Sequence, residues 1–410
     1  MAKMCSHLFL LLVLYNLSIQ PTNSLSQNKI NPIDLNALRE IKNQLTDIPS
    51  TITSPHFLSS WNFTSPDPCS SFHGVTCSST GKVVVLALGT GLTDSPGLAG
   101  TLSQSIAKLT ELNQLILFAG IVTGPIPPQI GSLKNLRVIS LTNNRLNGAI
   151  PATIFNLANL HTLDLSHNQL SGSIPATISG LTQLKVLVLG SNRLSGLLPS
   201  AFPDQLLHLD LSSNGISGML PRRLPSALHY LSVAQNHLWG PLNGLELLSD
   251  LVYLDLSMNQ LSGPIPTSLF RPTLNSMLLQ RNNLSGGVPQ APPTIYGSGS
   301  VVDLSHNFLT GELNTALIGV ETLFLNNNLL TGTVPKEYVD TGSIKTLYLQ
   351  HNYFTGFPNG TLLDSISICL SYNCMVPPMG LASCPASAGE QLSRPAYQCS
   401  AFRKSNGSFD

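Results

Sequence analysis

Chemistry in this sequence would have to come from its histidines, carboxylates and cysteines, and their spacing limits what that chemistry can be. Asp164 precedes His167 in one short alternating segment, and His208 precedes Asp210 in another. A His–carboxylate pair can orient a general base or hold a metal. The two segments lie two units apart, however, and at strand spacing the pairs stand roughly 10 Å from each other. That separation is too large for a shared metal or a proton relay. Gly297-Ser-Gly-Ser lacks the strand-to-helix setting of a nucleotide loop, and neither Gly-x-x-x-x-Gly-Lys nor His-Glu-x-x-His occurs. The reading is a chain with no catalytic residue, no metal and no cofactor, and not an enzyme.

The cysteines carry a different chemistry. Cys5 falls in an N-terminal leader, and the rest gather at two places: Cys69 and Cys77, then Cys369, Cys374, Cys384 and Cys399. An even number in an exported chain predicts disulfides that staple the ends. Cys69 with Cys77 is the simple pairing for the first group; the last four leave three connectivities open. Zinc is the rival reading, disfavoured by export and because no His follows His351.

Export itself is read from the start of the chain. Lys3 is followed by the run Leu8-Phe-Leu-Leu-Leu-Val-Leu-Tyr and then by small residues at Thr22 and Ser24. The run is too short to span a bilayer and reads as a secretory signal peptide over residues 1–24. The sequons at Asn62, Asn283, Asn359 and Asn406 are glycosylation candidates in that compartment. The remaining composition fits a secreted, water-exposed chain: no formal net charge, 10% charged residues and no basic stripe. Nucleic acid and an anionic membrane are thereby disfavoured as partners.

The elements that must position any functional side chain are repeats. Leu136-Arg-Val-Ile-Ser-Leu-Thr-Asn-Asn-Arg-Leu-Asn-Gly-Ala-Ile-Pro151 returns 24 residues later as Leu160–Pro175, and again as Leu184–Pro199. A fixed period of this length marks a solenoid. The motif Asn recurs at 144, 168, 192, 214, 236, 259, 282, 307, 328, 352 and 373, with Gly91 and Gly120 in its place earlier, giving about thirteen turns. Leu-x-x-Leu-x-Leu alternates at period two and predicts a short strand; identical units stacked in one direction give a parallel sheet on the inside of a curve. The buried Asn predicts an amide that pairs backbone groups of its own turn and of the neighbouring one. Before the repeats, Leu35, Leu38, Ile41 and Leu45 have helical spacing with Asp34 as the predicted N-cap, and Trp61 is positioned to cover an open hydrophobic end. Longer loops are expected at residues 90–97 and 292–300. The organisation read is 1–24 signal peptide, 25–81 N-terminal cap, 82–373 repeats, and 374–410 C-terminal cysteine cap and tail.

Leu-x-Gly-x-Ile-Pro within such a unit, together with Trp61, Asp67-Pro-Cys69 and Gly74-Val-Thr-Cys77, resembles the plant extracellular leucine-rich-repeat family. That family includes receptor-kinase ectodomains, receptor-like proteins and polygalacturonase-inhibiting proteins. The resemblance implies a right-handed α/β superhelix. Its parallel sheet lines the concave face, and 3-10 turns with a short second sheet at the Gly-x-Ile-Pro segments form the convex side.

Any recognition surface is then written in the strand positions that point away from the core. Those singled out are Thr162, Asp164 and His167; Val186 and Val188; His208 and Asp210; Tyr230 and Gln235; Tyr253 and Asp255; and Phe324, Tyr348 and His351. In the unit at Leu136, Val138, Ser140, Thr142 and Asn143 are read as free of structural duty. Tyr230 with Tyr253, and Phe324 with Tyr348, fall at equivalent places in neighbouring units and are anchor candidates for a protein or peptide; cross-strand packing is the competing reading. Asp164, Asp210, Asp255 and Asp303 recur at one position, which ordinary repeat filler explains better than an acidic docking stripe. The expected function is a secreted, apoplastic recognition protein for a protein or peptide ligand, in defence or cell-surface signalling. A membrane receptor kinase would be the partner and could hold it at the plasma membrane surface. The alternative is an inhibitor of a secreted cell-wall-degrading enzyme.

Overall fold

A computed structural model describes residues 29–48, 56–91, 97–291, 296–358, 366–376, 384–389 and 393–400. The expected signal peptide, the sequons at Asn359 and Asn406, and parts of both expected long loops lie outside them.

The Leu-x-x-Leu-x-Leu segments form one front sheet of 14 strands in sequence order. Its first strand, Val75–Cys77, pairs antiparallel with Val83–Leu88, and every later pairing is parallel. The middle residue of each short strand is turned inward: Leu163, Leu187, Leu209, Leu231 and Leu254 are essentially sealed from solvent. A side sheet of 12 strands runs alongside; nine of them are built from the residues just after a motif Asn, such as Arg145–Ala149 and Gln169–Gly172, and the first, Leu45–Asp47, comes from the N-terminal cap. Strands Arg145–Ala149 and Gln169–Gly172 end at the Gly or one residue beyond it and stop before Ile-Pro. Pro then opens a 3-10 turn, as Pro151 does ahead of Ala152–Asn156 with φ −61°, the value its ring enforces. The apolar residues of strand, side strand and 3-10 turn meet in a single continuous core from Ile30 to Met375.

The recurrent Asn is what ties one turn to the next. Asn168 Oδ1 accepts from Leu146 N of the preceding turn at 3.0 Å, and its Nδ2 donates back to Leu141 O at 2.8 Å and to Leu165 O and Ser166 O in its own turn. The residue before each Asn adopts a left-handed backbone, with φ from 53° to 60° at eleven non-glycine positions from Asn143 to Tyr372. Asn143 is therefore part of the coil. Val138 and Ser140 are also buried, so three of the four positions read as free in this unit have structural work. Gly120 replaces Asn because its backbone meets the preceding turn too closely for a side chain: a Cβ there would stand 2.5 Å from Leu98 O.

The ends are closed as the cysteines suggested, with one correction. Helix Pro32–Lys42 is capped by Asn31, whose side chain accepts from Ile33 N at 3.0 Å. Asp34 is instead buried in the first turn, where it meets Lys82 Nζ at 3.0 Å and accepts from Val83 N at 2.9 Å. A carboxylate one turn into a helix can bridge to the next element, whereas Asn31 precedes the turn and reaches its free N–H groups. Trp61 is wholly buried, stacked on Phe72 at 5.5 Å, with its indole N–H donating to His73 O. Cys69 pairs with Cys77, Cys369 with Cys384, and Cys374 with Cys399. Cys369 belongs to the last front strand, so its disulfide fastens the C-terminal cap directly onto the sheet.

Candidate functional site: the outward face of the front sheet

Strand register sorts the outward side chains into two rows. The first runs Val138, Thr162, Val186, His208, Tyr230, Tyr253 and Ser276; the second runs Ser140, Asp164, Val188, Asp210, Ser232, Asp255, Leu278, Asp303, Phe324 and Tyr348. Thr162, Asp164, Val186, Val188 and His208 are buried, while Asp210, Tyr230, Tyr253, Asp255, Phe324 and Tyr348 keep partial access to solvent.

Three rings of the first row form a column. His208 lies 4.0 Å from Tyr230 with planes 5° apart, and Tyr230 lies 4.4 Å from Tyr253 with planes 2° apart. Parallel strands place the three Cβ atoms at one strand spacing, and flat rings in one rotamer then stack along the sheet. The sequence pointed to the tyrosine pair; that His208 extends it follows from the same register but not from residue type. Burial holds the His208 imidazole neutral, its pKa depressed to about 4, and pushes both tyrosine hydroxyls well above their ordinary range. These rings are uncharged near neutral pH, and the hydroxyls stay donors. Phe324 and Tyr348 meet edge to face at 5.2 Å, in the second row.

The aspartates do local work. Asp255 Oδ1 accepts from Ser257 N at 3.0 Å and from Ser257 Oγ at 2.6 Å, and Asp164 and Asp210 do the same with Ser166 and Ser212. Asp303 accepts from Ser305 N at 2.9 Å. Each thus closes the turn after its own strand. They occupy alternate strands, with Val188 between Asp164 and Asp210 and Ser232 between Asp210 and Asp255. Burial raises all four carboxyl pKa values, against the lowering effect of the serine bonds. Among the described residues, no group of three or more His, Cys, Asp or Glu side chains could hold a metal ion.

The remaining expected site residues sit at the left-handed position after the strand. His167 and Gln235 are exposed there, and Gln235 Oε1 accepts from Ser213 Oγ at 2.9 Å. His351 Nε2 lies 3.0 Å from Ala388 O and its ring 5.0 Å from Tyr372, which joins it to the C-terminal cap. The side chains of Asn62 and Asn283 are both exposed. No helix among the described residues is long and apolar enough to cross a membrane.

A parallel front sheet, an asparagine ladder and disulfide caps define a leucine-rich-repeat solenoid. Family models agree: a leucine-rich-repeat N-terminal domain matches residues 31–78 and leucine-rich-repeat models match 134–194, 205–226 and 250–271. The chain thus carries leucine-rich repeats behind a leucine-rich-repeat N-terminal domain, and it is similar to plant extracellular leucine-rich-repeat proteins. Among solved structures it is similar to the ectodomain of the membrane receptor kinase GASSHO1/SCHENGEN3 from Arabidopsis thaliana, solved with CASPARIAN STRIP INTEGRITY FACTOR 2. That match has 27% identity over 83% of this chain and 50% of the other, with a TM-score of 0.58. It is also similar to the plant peptide hormone receptor RGFR1 in complex with RGF2, at 28% identity over 68% of this chain and 54% of the other, with a TM-score of 0.51. A plant ice-binding protein matches at 28% identity over 75% of this chain and 90% of the other, with a TM-score of 0.53. The chain spans about half the length of the two receptor ectodomains.

Proposed function

We propose that this protein recognises a protein or peptide ligand outside the cell through the outward face of its front sheet. It would act in defence or cell-surface signalling together with a membrane receptor kinase. The observation that carries this reading is the His208–Tyr230–Tyr253 column, three stacked, uncharged rings standing on a rigid parallel sheet. Tyr230 and Tyr253, which keep solvent access while buried His208 backs them, offer contact area at little entropic cost, which is how interface anchors work. One of the solved structures similar to this chain is a peptide hormone receptor in complex with RGF2, which supports the same use of the scaffold. The disulfides and the family fit an extracellular location.

The test is selection of a displayed random-peptide library on the purified chain, followed by titration of the enriched peptides. Tyr230→Ala and Phe324→Ala should each weaken binding at least about tenfold, or roughly 1.4 kcal/mol, and hydrogen exchange should slow on binding across residues 208–255. Wild-type affinity in both variants would remove the front face as the recognition surface.

A further inference from the structure

The side sheet carries an apolar ridge confined to three consecutive turns. Trp239 stands just before the motif Gly, where Ser171, Ser195, Ser217, Ser262 and Ser285 stand in other turns. Leu197 and Met219 follow the motif Gly, where Ala149 and Ser173 stand earlier. The three are 50%, 68% and 53% exposed respectively, although the core positions of their own turns, Leu194, Ile216 and Leu238, are already filled and buried. They add nothing to the interior.

The three side chains are contiguous. Strands Arg193–Leu197, Gly215–Gly218 and His237–Gly240 are neighbours in the side sheet. Leu197 lies across Gly218, where an added Cβ would stand 2.7 Å from Leu197 Cδ2, and Met219 lies across Gly240, 2.9 Å from its Cγ to an added Cβ. The ridge therefore runs from Leu197 over the glycine beside Met219, and from Met219 over the glycine beside Trp239. Scattered exposed apolar residues are ordinary, but a contiguous group centred on Trp is the composition of an interface core.

On the side-sheet strands around the ridge the charge has one sign, whereas the turns beyond them carry both. From strand Arg145–Ala149 through Asn283–Gly286 the charged residues of the side sheet are Arg145 and Arg193, both exposed, with no carboxylate among them. Beyond Met219 the chain continues through Leu220 and Pro221 into exposed Arg222 and Arg223, while exposed Asp204 and Glu246 stand in the turns that follow Leu197 and Trp239. A second copy of this surface would bring like charges together, so it is a poor occupant.

We propose that Leu197, Met219 and Trp239 form a docking surface for a second protein that presents an amphipathic acidic segment. The segment's apolar side chains cover the ridge and its carboxylates face Arg193, Arg222 and Arg223. This surface is on the side sheet and leaves the His208–Tyr230–Tyr253 column uncovered, so a ligand and a partner protein can be held at once.

Tryptophan emission reports directly on this surface. Of the two tryptophans, Trp61 is sealed and Trp239 is half exposed. The probe is a synthetic amphipathic Leu/Glu peptide titrated into the full chain, with a Leu/Lys peptide of the same pattern as control. The Leu/Glu peptide should bind and shift emission to the blue. Its affinity should fall at least about tenfold in Leu197→Ser and in Met219→Ser, and weaken as salt is raised past the point where the screening length drops to about 3 Å. Both variants should keep the wild-type unfolding midpoint, since Ser173 already occupies the equivalent place in another turn. The proposal is overturned if the Leu/Glu peptide does not bind, if the Leu/Lys peptide binds as well, or if the serine variants bind like wild type. It is equally overturned if sedimentation shows that the blue shift arises from self-association.

Discussion

Asn236→Ala tests whether the asparagine ladder holds the coil together. Asn236 Oδ1 accepts from Ile216 N at 2.9 Å, and its Nδ2 lies 3.0 Å from Leu211 O and 3.1 Å from both Val233 O and Ala234 O. The carbonyls are not abandoned when this amide is lost. Leu211 O still accepts from Asn214, Val233 O from Asn259, and Ala234 O from Ser213 N. Ile216 N–H, beside its own sealed side chain, loses the acceptor that Asn236 Oδ1 supplies. One orphaned buried donor costs about 1–3 kcal/mol, and losing the weaker shared bonds adds about 1 kcal/mol. The expected loss is about 3 kcal/mol. With an m value near 3 kcal/mol/M, the urea midpoint should fall by roughly 1 M. Hydrogen exchange by mass spectrometry should show faster exchange centred on residues 211–238, because a solenoid couples only neighbouring turns. Asn236→Asp should be worse than alanine at neutral pH, since it turns an oxygen toward three carbonyls. A loss below about 1 kcal/mol for alanine, or a milder effect for aspartate, would refute the account.

Other outcomes follow from the same structure. Met258 is half exposed and held at φ 56°, a conformation that costs a side chain about 1–2 kcal/mol but suits asparagine, which fills the position at Asn143 and Asn327; Met258→Asn should raise the unfolding midpoint by a stabilisation of about 0.5–1 kcal/mol, and Met258→Val should lower it. Burial raises the Asp255 carboxyl pKa in the folded chain, so the native state binds the proton more tightly than the unfolded state. Stability from this group therefore rises as pH falls from neutral through the raised value, and levels off below the unfolded carboxyl range near about 3.9. The difference in thermal midpoint between wild type and Asp255→Asn should accordingly change in that direction between neutral and mildly acidic buffer, and a flat difference would contradict it. Removing the Cys69–Cys77 link, which closes a loop with a sequence separation of 8, should cost about 2–3 kcal/mol in calorimetry and loosen the N-terminal cap first.

The sequence by itself determined the solenoid. Leucine periodicity, the recurring Asn and the Gly-x-Ile-Pro close are properties of a single unit, so each copy states its own fold and thirteen parallel front strands follow from stacking. The end caps were legible for the same reason: Trp61 and the clustered cysteines are local signals. The tertiary structure decided what depends on how units meet. Asp34 and Asn31 both suit a helix start, and only the position of Val83 and Lys82 gave Asp34 its role. Asn143 looked free because a left-handed backbone leaves no mark on residue type when Ser, His, Met, Arg and Tyr all adopt it. The aspartate stripe resolved into turn closures through serine contacts within each unit. Periodicity assigned Val138, Thr162, Val186 and His208 to an outward row, yet they are buried, because accessibility is a property of the assembled surface. The plane of the His208 ring, and the meeting of Leu197, Met219 and Trp239 across two glycines, are set by side-chain packing between turns, which a repeat pattern constrains in register but not in rotamer.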